Sequence, residues 1–375
     1  MITLTVDRIA HGGHCVGRHE GQVVFVRHAI PGETVRAEIT GSGPRGRYLF
    51  ADVVEVITPS PQRVTPECDM AGLCGGCDFQ HIAEAHQREL KAQVISEQFS
   101  RLADLDRPVE VQAVPRSGSG WRTRTRFAAD REGGWGLRRH ADHEVVCIET
   151  CPISMPGINR RLAGLDPGQP GAEVLVVDQP DQAVVAPVPT AHAPEVHHEV
   201  ADRHWTVSAD LFWQVHVSAP ETLVQAVAPY VSSVTAWWDL YCGVGLLAGS
   251  LATPRQQVMA VEGDRRAADQ AALNLSDLPA VRVFAADVGR WLAAEPDAPV
   301  EVIVLDPPRK GAGKGVVTGL TRTSAHTLVY VACDPATLAR DAGLLIRQGW
   351  EVDEITGFDL FPMTHHVETV AVLRR

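Results

Sequence analysis

The stretch AWWDLYCGVGLLA, residues 236–248, combines an apolar strand, a glycine-rich turn and the start of a helix. Glycines at positions 243 and 245 let the backbone approach a ligand closely, and a helix that opens behind such a turn points its amide groups at that ligand. The stretch therefore predicts a nucleotide-type pocket at the carboxyl end of a strand.

Four more apolar segments follow at the spacing of a doubly wound parallel sheet. Together with residues 237–240 they occupy residues 258–261, 281–284, 302–305 and 327–331. Residues 201–375 are therefore predicted to form an α/β domain. Glu262 ends the second strand, where an acid can accept hydrogen bonds from ribose hydroxyls. The turn also fits a dinucleotide site with Ala248 as its third small residue, so an NAD-dependent oxidoreductase is a competing hypothesis.

Three later segments place reactive side chains at strand ends. Asp306 opens the run DPPRKG after the fourth strand, where open α/β sheets bind ligands. Cys333 follows the fifth strand and precedes a predicted helix, whose N-terminus favours a thiolate, so we expect a lowered pKa for this cysteine. Glu368 starts an apolar C-terminal strand, which predicts a raised pKa and a role as a base. A structural turn and an inert buried cysteine are the alternatives for the first two segments.

Residues 1–57 alternate short apolar runs with turns rich in Gly and His, a pattern typical of a small β-barrel. The placement of Gly12, Gly13 and Gly17 and of the segment 24–33 resembles that of the TRAM domain, an OB-like RNA-binding barrel. This resemblance implies an RNA-binding module at the start of the chain.

Three of the eight cysteines, Cys68, Cys74 and Cys77, form a C-x5-C-x2-C cluster. Such spacing indicates metal binding or thiolate chemistry before it indicates disulfides. With a distant fourth cysteine the cluster could hold zinc or an iron–sulfur centre, because both accept four thiolates. A charged helical pattern free of Gly and Pro follows from about residue 81 to 105 and is expected to pack on the catalytic domain.

The formal net charge of −12 speaks against a nucleic-acid partner, yet one segment is basic. Between Arg116 and His140, seven arginines stand against two acidic residues. Alternation with period two places Arg122, Arg124 and Arg126 on one face of a predicted strand, beside aromatic residues that could stack on bases. We expect this face to contact RNA, and the alternative is a solvated edge strand. A non-catalytic RNA-binding protein is the second competing hypothesis.

Residues 58–200 are predicted to form a mixed middle domain. Within it, residues 163–198 are rich in Pro, Gly and Asp, so we expect a loose connection with one clear strand at 174–177. The histidines of this region lack a Cys or carboxylate at ligand spacing and are predicted to be solvent-facing loop residues. They are His192, His197 and His198.

The composition predicts a cytoplasmic protein without a membrane partner. Hydrophobic residues make up 45% of the chain and charged residues 21%, which is ordinary for a globular protein. No apolar run approaches the length of a membrane span, and the N-terminus lacks the basic and apolar regions of a secretion signal.

Taken together and in order, five motifs resemble those of the RNA 5-methyluridine methyltransferase family. They are SADLFWQV at 208–215, DLYCGVG at 239–245, DPPRKG at 306–311, CDPATLARD at 333–341 and HVET at 366–369. The match covers nearly the whole chain. It implies a class I, Rossmann-like methyltransferase domain after a TRAM barrel and a small mixed domain, with S-adenosylmethionine as the methyl donor.

The resemblance also implies roles for individual residues. Cys333 would add to carbon 6 of a uridine, and Glu368 would remove the proton from carbon 5, the carbon that is methylated. The implied pocket for the donor and the uracil consists of Gln214, Tyr241, Gly243, Glu262, Asp287 and Asp306. The chain departs from residues frequent in the family at His216, Ala332 and Asp334, which bears on the fine geometry of the pocket.

Members of this family that act on ribosomal RNA carry the same cysteine spacing with a 4Fe-4S cluster, whose fourth ligand lies in a Cys-Pro-Ile segment. Here that segment begins at Cys151, and Cys147 is the competing ligand. The resemblance thus implies a cluster on Cys68, Cys74, Cys77 and Cys151, with ribosomal RNA as the substrate of a monomeric enzyme. Members that act on transfer RNA typically lack both cluster and barrel, so transfer RNA is the alternative.

Overall fold

The computed structural model describes residues 1–179, 182–190, 192–294 and 298–375. Its strands form a closed five-stranded barrel, a five-stranded antiparallel sheet with a separate two-stranded ribbon, and an eight-stranded sheet. The predicted combination of an N-terminal barrel, a mixed middle region and a Rossmann-like α/β domain is therefore confirmed.

The N-terminal barrel closes in the order β1-β2-β3-β5-β4. Alternation along the first strand buries Ile2, Leu4 and Val6 and exposes the residues between them, as period-two patterning requires. The strands are β1 (Ile2–Ile9), β2 (Cys15–His19), β3 (Gln22–Arg27), β4 (Thr34–Ser42) and β5 (Tyr48–Thr58).

A long helix, α1 (Glu84–Ala103), follows the cysteine-rich loop and ends at Asp104, which is left-handed with φ 53°. Its apolar face, including Ile95 and Phe99, lies in the core of the large sheet. The next strand, β6 (Glu110–Gln112), pairs in parallel with β19 (Glu351–Phe358) and forms an edge of that sheet. Residues assigned by sequence to the middle region thus contribute a helix and an edge strand to the α/β domain.

The middle region contains more strands than its composition suggested. Its elements are β7 (Arg124–Ala129), β8 (Trp135–Arg138), β9 (Val145–Cys147), α2 (Pro156–Ala163), β10 (Glu173–Val177), β11 (Val184–Val188), and the ribbon β12 (Glu195–Val200) and β13 (Arg203–Ser208). The expectation of a loose segment at 163–198 is wrong. Pro187 lies in β11 without disrupting the sheet because β11 is an edge strand, where proline is tolerated.

The expectation of solvent-facing loop histidines is confirmed for His192, which is exposed and outside the strands, but the loop assignment of the other two is wrong. His197 and His198 lie in strand β12. The ring of His198 stacks on Trp213 with 4.5 Å between centroids, and burial lowers the pKa of His198 to about 4. This histidine is therefore a packed neutral residue.

The eight-stranded sheet has the order β16-β15-β14-β17-β18-β20-β19-β6. Its remaining strands are β14 (Ala236–Leu240), β15 (Gln257–Glu262), β16 (Val281–Ala285), β17 (Val302–Leu305), β18 (Thr327–Ala332), β19 (Glu351–Phe358) and β20 (Glu368–Arg374). The five predicted strands are thus present. Only β20 runs antiparallel to its neighbour β18, so its start meets the carboxyl ends of the parallel strands.

Helices cover both faces of this sheet. One face packs against α1, α6 (Val288–Ala294), α7 (Gly313–Leu320) and α8 (Pro335–Ile346). The other packs against α3 (Ala219–Val231), α4 (Leu246–Leu251) and α5 (Arg265–Asn274). Within the described residues, no helix combines the length and the apolar character that crossing a membrane would need.

A buried ion pair ties α1 to the loop between β19 and β20, here called the 359–367 loop. Lys91 Nζ donates to Asp359 Oδ1 at 2.6 Å and to the carbonyl of Phe361 at 3.0 Å. Both side chains of the pair are only 1% exposed. Burial lowers the pKa of Lys91, and the charge of Asp359 opposes that shift.

We predict that Lys91→Met lowers the free energy of unfolding by about 3 kcal/mol, because Asp359 is left as an unpaired buried charge. The matched control is Arg101→Met in the same helix, which removes an exposed pair with Glu97 and should cost less than about 1 kcal/mol. Urea denaturation of the three proteins measures the difference. Equal midpoints for both variants would contradict the assigned role of the buried pair.

Candidate active site

A single cavity of about 1440 Å³ opens at the carboxyl edge of the large sheet. Every residue that the sequence predicted for catalysis or for the donor pocket lines it. These are Gln214, Tyr241, Gly243, Glu262, Asp287, Asp306, Cys333 and Glu368. The topology brings them together because successive parallel strands end at the same edge.

Three adjacent strands deliver the reactive groups. Asp306 follows β17, Cys333 follows β18, and Glu368 starts β20 on the far side of β18. The last paired residues of β18 and β20 are Ala332 and Thr369, so Cys333 and Glu368 are the next residues beyond the ladder. The nucleophile and the base predicted from the sequence therefore share one end of one strand pair.

Two carboxyl groups in the cavity, those of Glu368 and Asp306, have raised pKa values. Burial raises the pKa of Glu368 well above its ordinary value, and the neighbouring Asp306 adds to the shift. Burial also raises the pKa of Asp306 to about 7, with Asp239 and Glu262 contributing. The expected rise in the pKa of Glu368 is confirmed.

The expected lowering of the Cys333 pKa is wrong. Burial raises its pKa to about 12, and the charges of Glu368 and Asp306 act in the same direction, against a smaller opposing effect of Arg309. The helix start offers little help, because the side chain of Asp334 caps α8 by accepting from the amide of Thr337. In the free protein this cysteine is a thiol.

The glycine-rich turn has the geometry of a ligand-binding turn. Gly243 and Gly245 have φ of 55° and 92°, values that favour glycine. The amides of Gly243 and Asp264 donate to the two carboxylate oxygens of Glu262 at 2.9 and 2.7 Å. Glu262 is thereby fixed at the end of β15 beside the turn. Asp239 Oδ2 accepts from the amide of Ala248 at 2.9 Å, which joins the strand to the helix behind it.

Charge is divided between the inner wall and the mouth of the cavity. Four carboxyl groups meet on the inner wall, from Asp239, Glu262, Asp306 and Glu368. At the mouth, exposed basic residues, including Arg138, Arg309, Lys310 and Lys314, outnumber the exposed acidic residues, which are Asp264 and Asp287. The arrangement suits a cation deep in the cavity and an anion at its entrance.

The structure separates the three arginines of the predicted RNA-binding face. Arg122 is half-buried and lines the cavity. Arg124 turns into the protein and donates to the carbonyls of Ala209 and Trp213. Arg126 is exposed and lies 3.6 Å from Glu173. Arg122 precedes β7, so the strand alternation on which the prediction rested does not extend to it.

The cysteine-rich loop reaches the same cavity through Gly75 and Gly76. Gly75 lies so close to the β8–β9 hairpin that a Cβ atom there would be 2.8 Å from the carbonyl oxygen of Arg138. Burial raises the pKa of Cys74 and of Cys77, and both lie near enough to Cys151 for the charge of that cysteine to add to the shift.

Cys147 faces elsewhere: its thiol donates to Asp130 Oδ2 at 3.1 Å. Cys151, in contrast, packs with Trp121 and Ile153 beside Cys77. Among the residues that the structure describes, no group of three or more His, Cys, Asp or Glu side chains is arranged to hold a single metal ion.

Sequence reasoning missed one residue at the cavity. Phe212 is 66% exposed, an unusual state for a large apolar side chain, and it lines the entrance together with Gln214. A signal was available, since this phenylalanine stands in the motif SADLFWQV two residues before a predicted pocket residue. His216 from the same segment is buried and stacks on Trp121 at 5.4 Å, outside the cavity lining.

Comparison with known sequences agrees with this architecture. The profile of the TRAM domain matches residues 1–54, and the profile described as tRNA (Uracil-5-)-methyltransferase matches residues 296–375. The chain is 41% identical to an "Uncharacterized RNA methyltransferase" of Streptomyces avermitilis, over 98% of this chain and 96% of the relative. It is 32% identical to the 23S rRNA (uracil(1939)-C(5))-methyltransferase RlmD of Pseudomonas fluorescens, over 98% and 93%.

Among solved structures, the Pyrococcus abyssi tRNA (uracil-54, C5)-methyltransferase in complex with S-adenosyl-L-homocysteine has the same fold. It matches 99% of this chain and all of its own length with a TM-score of 0.74, at 21% sequence identity. The fold agrees with these comparisons, and the full-length relatives show the family. The chain belongs to the family of RNA uracil-5-methyltransferases.

Proposed function

We propose that the chain transfers a methyl group from S-adenosylmethionine to carbon 5 of a uridine in RNA, with Cys333 as a covalent nucleophile and Glu368 as the base. The observation that carries the proposal is the meeting of a thiol and a buried carboxyl group at the ends of β18 and β20, inside the cavity. Neither competing hypothesis uses both groups.

The charge of the inner wall supports S-adenosylmethionine over a nicotinamide dinucleotide. The donor carries a sulfonium cation, which the four inner carboxyl groups can stabilise, whereas a dinucleotide would bring an anionic pyrophosphate to the same acidic wall. Glu262 is oriented by two backbone amides and is placed to accept from ribose hydroxyls. Tyr241, Gly243 and Asp287 complete the proposed donor pocket.

The proposed reaction uses the two strand-end residues in sequence. The thiolate of Cys333 adds to carbon 6 of the uracil, which makes carbon 5 nucleophilic enough to take the methyl group. Glu368 then removes the proton from carbon 5, and the bond from carbon 6 to Cys333 breaks. Because the free thiol has a raised pKa, ionisation must follow binding, when a cation near Asp306 and Glu368 offsets their charges.

Covalent addition and release can be separated by substitution. We predict that Cys333→Ala binds S-adenosylmethionine and RNA but transfers no methyl group. Glu368→Gln should still add and methylate, and then accumulate a protein–RNA adduct, because no base removes the carbon 5 proton. Denaturing gels of reactions with labelled donor and with ribosomal RNA from cells lacking the gene would reveal the adduct.

The double variant Cys333→Ala/Glu368→Gln is the matched control and should form no adduct. Substantial turnover by Cys333→Ala would refute the covalent assignment. An adduct that persists in the double variant would move the nucleophile to another residue, of which Cys242 is the cysteine that also lines the cavity.

We propose ribosomal RNA as the substrate class, since the relative described as a 23S rRNA methyltransferase is 32% identical to this chain, whereas the tRNA methyltransferase of the same fold is 21% identical. The exposed Phe212 at the entrance offers a ring on which an unpaired base can stack, and the basic mouth suits the phosphates on either side. Gln214 and Asp306 are placed to hydrogen-bond the uracil between the entrance and Cys333.

Because the three arginines lie in different surroundings, we predict that replacing them has different effects on RNA binding. Arg122→Ala should weaken RNA binding and lower the slope of log affinity against log salt by about 1, because this residue lines the cavity. Arg126→Ala, on the exposed strand next to Glu173, is the matched control with a smaller effect. Filter binding at several salt concentrations measures both, and equal slopes for the wild type and Arg122→Ala would return this residue to a structural role.

We propose a 4Fe-4S cluster on Cys68, Cys74, Cys77 and Cys151. Cys74 lies near Cys68 and Cys151, and Cys77 lies near Cys74 and Cys151, so the four thiols are neighbours in the structure. Four cysteine thiolates are the usual ligands of such a cluster. Cys151 is favoured over Cys147 because the latter thiol is bonded to Asp130. The group would support the fold and supplies no step of the reaction.

This assignment predicts different outcomes for two cysteine variants. Protein purified without oxygen should contain iron and sulfide, and Cys151→Ser should lose most of both. Cys147→Ser should retain them, since its thiol faces Asp130. Iron and zinc analysis with absorption spectra measures the result. Zinc without iron in the wild type, or loss of iron in Cys147→Ser alone, would overturn the assignment.

A further inference from the structure

The turn between β1 and β2 of the barrel reaches the end of the large sheet. At its tip, His11 Nε2 lies 3.3 Å from Asp334 Oδ2. Asp334 directly follows Cys333, and its other carboxylate oxygen accepts from the amide of Thr337 at 2.9 Å to cap α8. The barrel therefore contacts the residue that connects the proposed nucleophile to its helix.

The same turn touches the segment on the other side of the site. Gly13 has φ of 81°, and a Cβ atom there would lie 2.6 Å from the Cβ atom of His365. His365 is part of the 359–367 loop that leads into Glu368, and its Nδ1 lies 2.6 Å from Asp78 Oδ2. One barrel turn thus touches both segments that carry the proposed catalytic residues.

These two segments need support from outside the sheet. The ladder between β18 and β20 ends at Ala332 and Thr369, so Cys333 lies beyond its last paired residue, and Glu368 is paired on one side only, with Phe358 of β19. A catalytic pair must hold its geometry closely, because displacements of about 1 Å can cost two orders of magnitude in rate. The barrel turn contacts Asp334 and His365 at this point and can supply support that the sheet does not give.

We propose that the barrel turn is a built-in part of the catalytic site and that His11 is a positioning residue for Cys333, acting through Asp334. His11 holds the Asp334 carboxylate in its capping position at the start of α8, directly after Cys333. Gly13 holds the position of His365 and, through it, of the loop before Glu368. The turnover measurement described below rests on the proposed function, whereas the alkylation measurement does not.

Stability is not the main effect of the His11 contact. The two side chains are 40% and 25% exposed, and ion pairs of that exposure contribute little to folding. Loss of His11 should therefore leave the barrel folded, which makes this residue a clean probe of positioning.

The test compares His11→Ala with His11→Gln, whose amide nitrogen can replace the ring Nε2 as a donor. His19→Ala, on strand β2 of the same barrel, is the matched control. On ribosomal RNA from cells lacking the gene, His11→Ala should lower kcat about tenfold with KM changed less than about twofold. His11→Gln should recover most of kcat. Melting temperatures confirm that all variants are folded.

A second measurement requires no RNA. The rate at which iodoacetamide alkylates Cys333, followed by peptide mass spectrometry, reports the ease of forming its thiolate. In His11→Ala this rate should differ from the wild-type rate by about threefold, because Asp334, the residue next to Cys333, has lost the partner that fixes its position. His19→Ala should alkylate at the wild-type rate.

The outcomes are distinguishable from failure of the proposed function. If the wild type transfers no methyl group to this RNA, that function is wrong for ribosomal RNA, and the alkylation rates alone decide whether His11 positions Cys333. Wild-type behaviour of His11→Ala in both assays would overturn the positioning role. So would a change confined to KM with normal alkylation, since this would make the turn an RNA contact only.

Discussion

Two carboxyl groups are buried on either side of one thiol, and the organisation of the site follows from that crowding. Asp306 follows β17 and Glu368 starts β20, the two strands that flank the strand of Cys333. The pKa values of both carboxyl groups are raised, and their charges add to the rise in the pKa of the Cys333 thiol. In the free protein this disfavours the thiolate. A cationic donor is the natural complement of such a site, so its binding and the activation of the nucleophile become linked events.

The sheet alone does not hold this site together. The 359–367 loop is fixed by α1, whose Gln87 accepts from the amide of Met363, and by the cysteine-rich loop, where the amides of Asp78 and Phe79 donate to the Met363 carbonyl. Met363 itself has φ of 65°, a conformation that a non-glycine residue adopts only where its surroundings impose it. The cysteine-rich loop therefore supports the loop that leads into Glu368, and the proposed cluster would have a structural role there.

Local patterns predicted the elements and most of the site, and the failures have a common origin. The turn at Gly243 and the strand ends at Asp306, Cys333 and Glu368 follow from short-range periodicity. The raised pKa of Cys333 depends on carboxyl groups from strands distant in sequence and on the capping side chain of Asp334. The turning of Arg124 into the protein likewise depends on carbonyl groups of a remote loop, which the alternation of its own strand does not encode.

The contacts of α1 with segments distant in sequence have a consequence for biosynthesis. Lys91 and Asp359 are separated by 268 residues, and the sheet edge that receives β6 is formed by β19, which is synthesised much later than α1. A nascent chain therefore carries α1 with Ile95 and Phe99 uncovered until β19 has been synthesised, and exposed apolar surface of this kind favours aggregation.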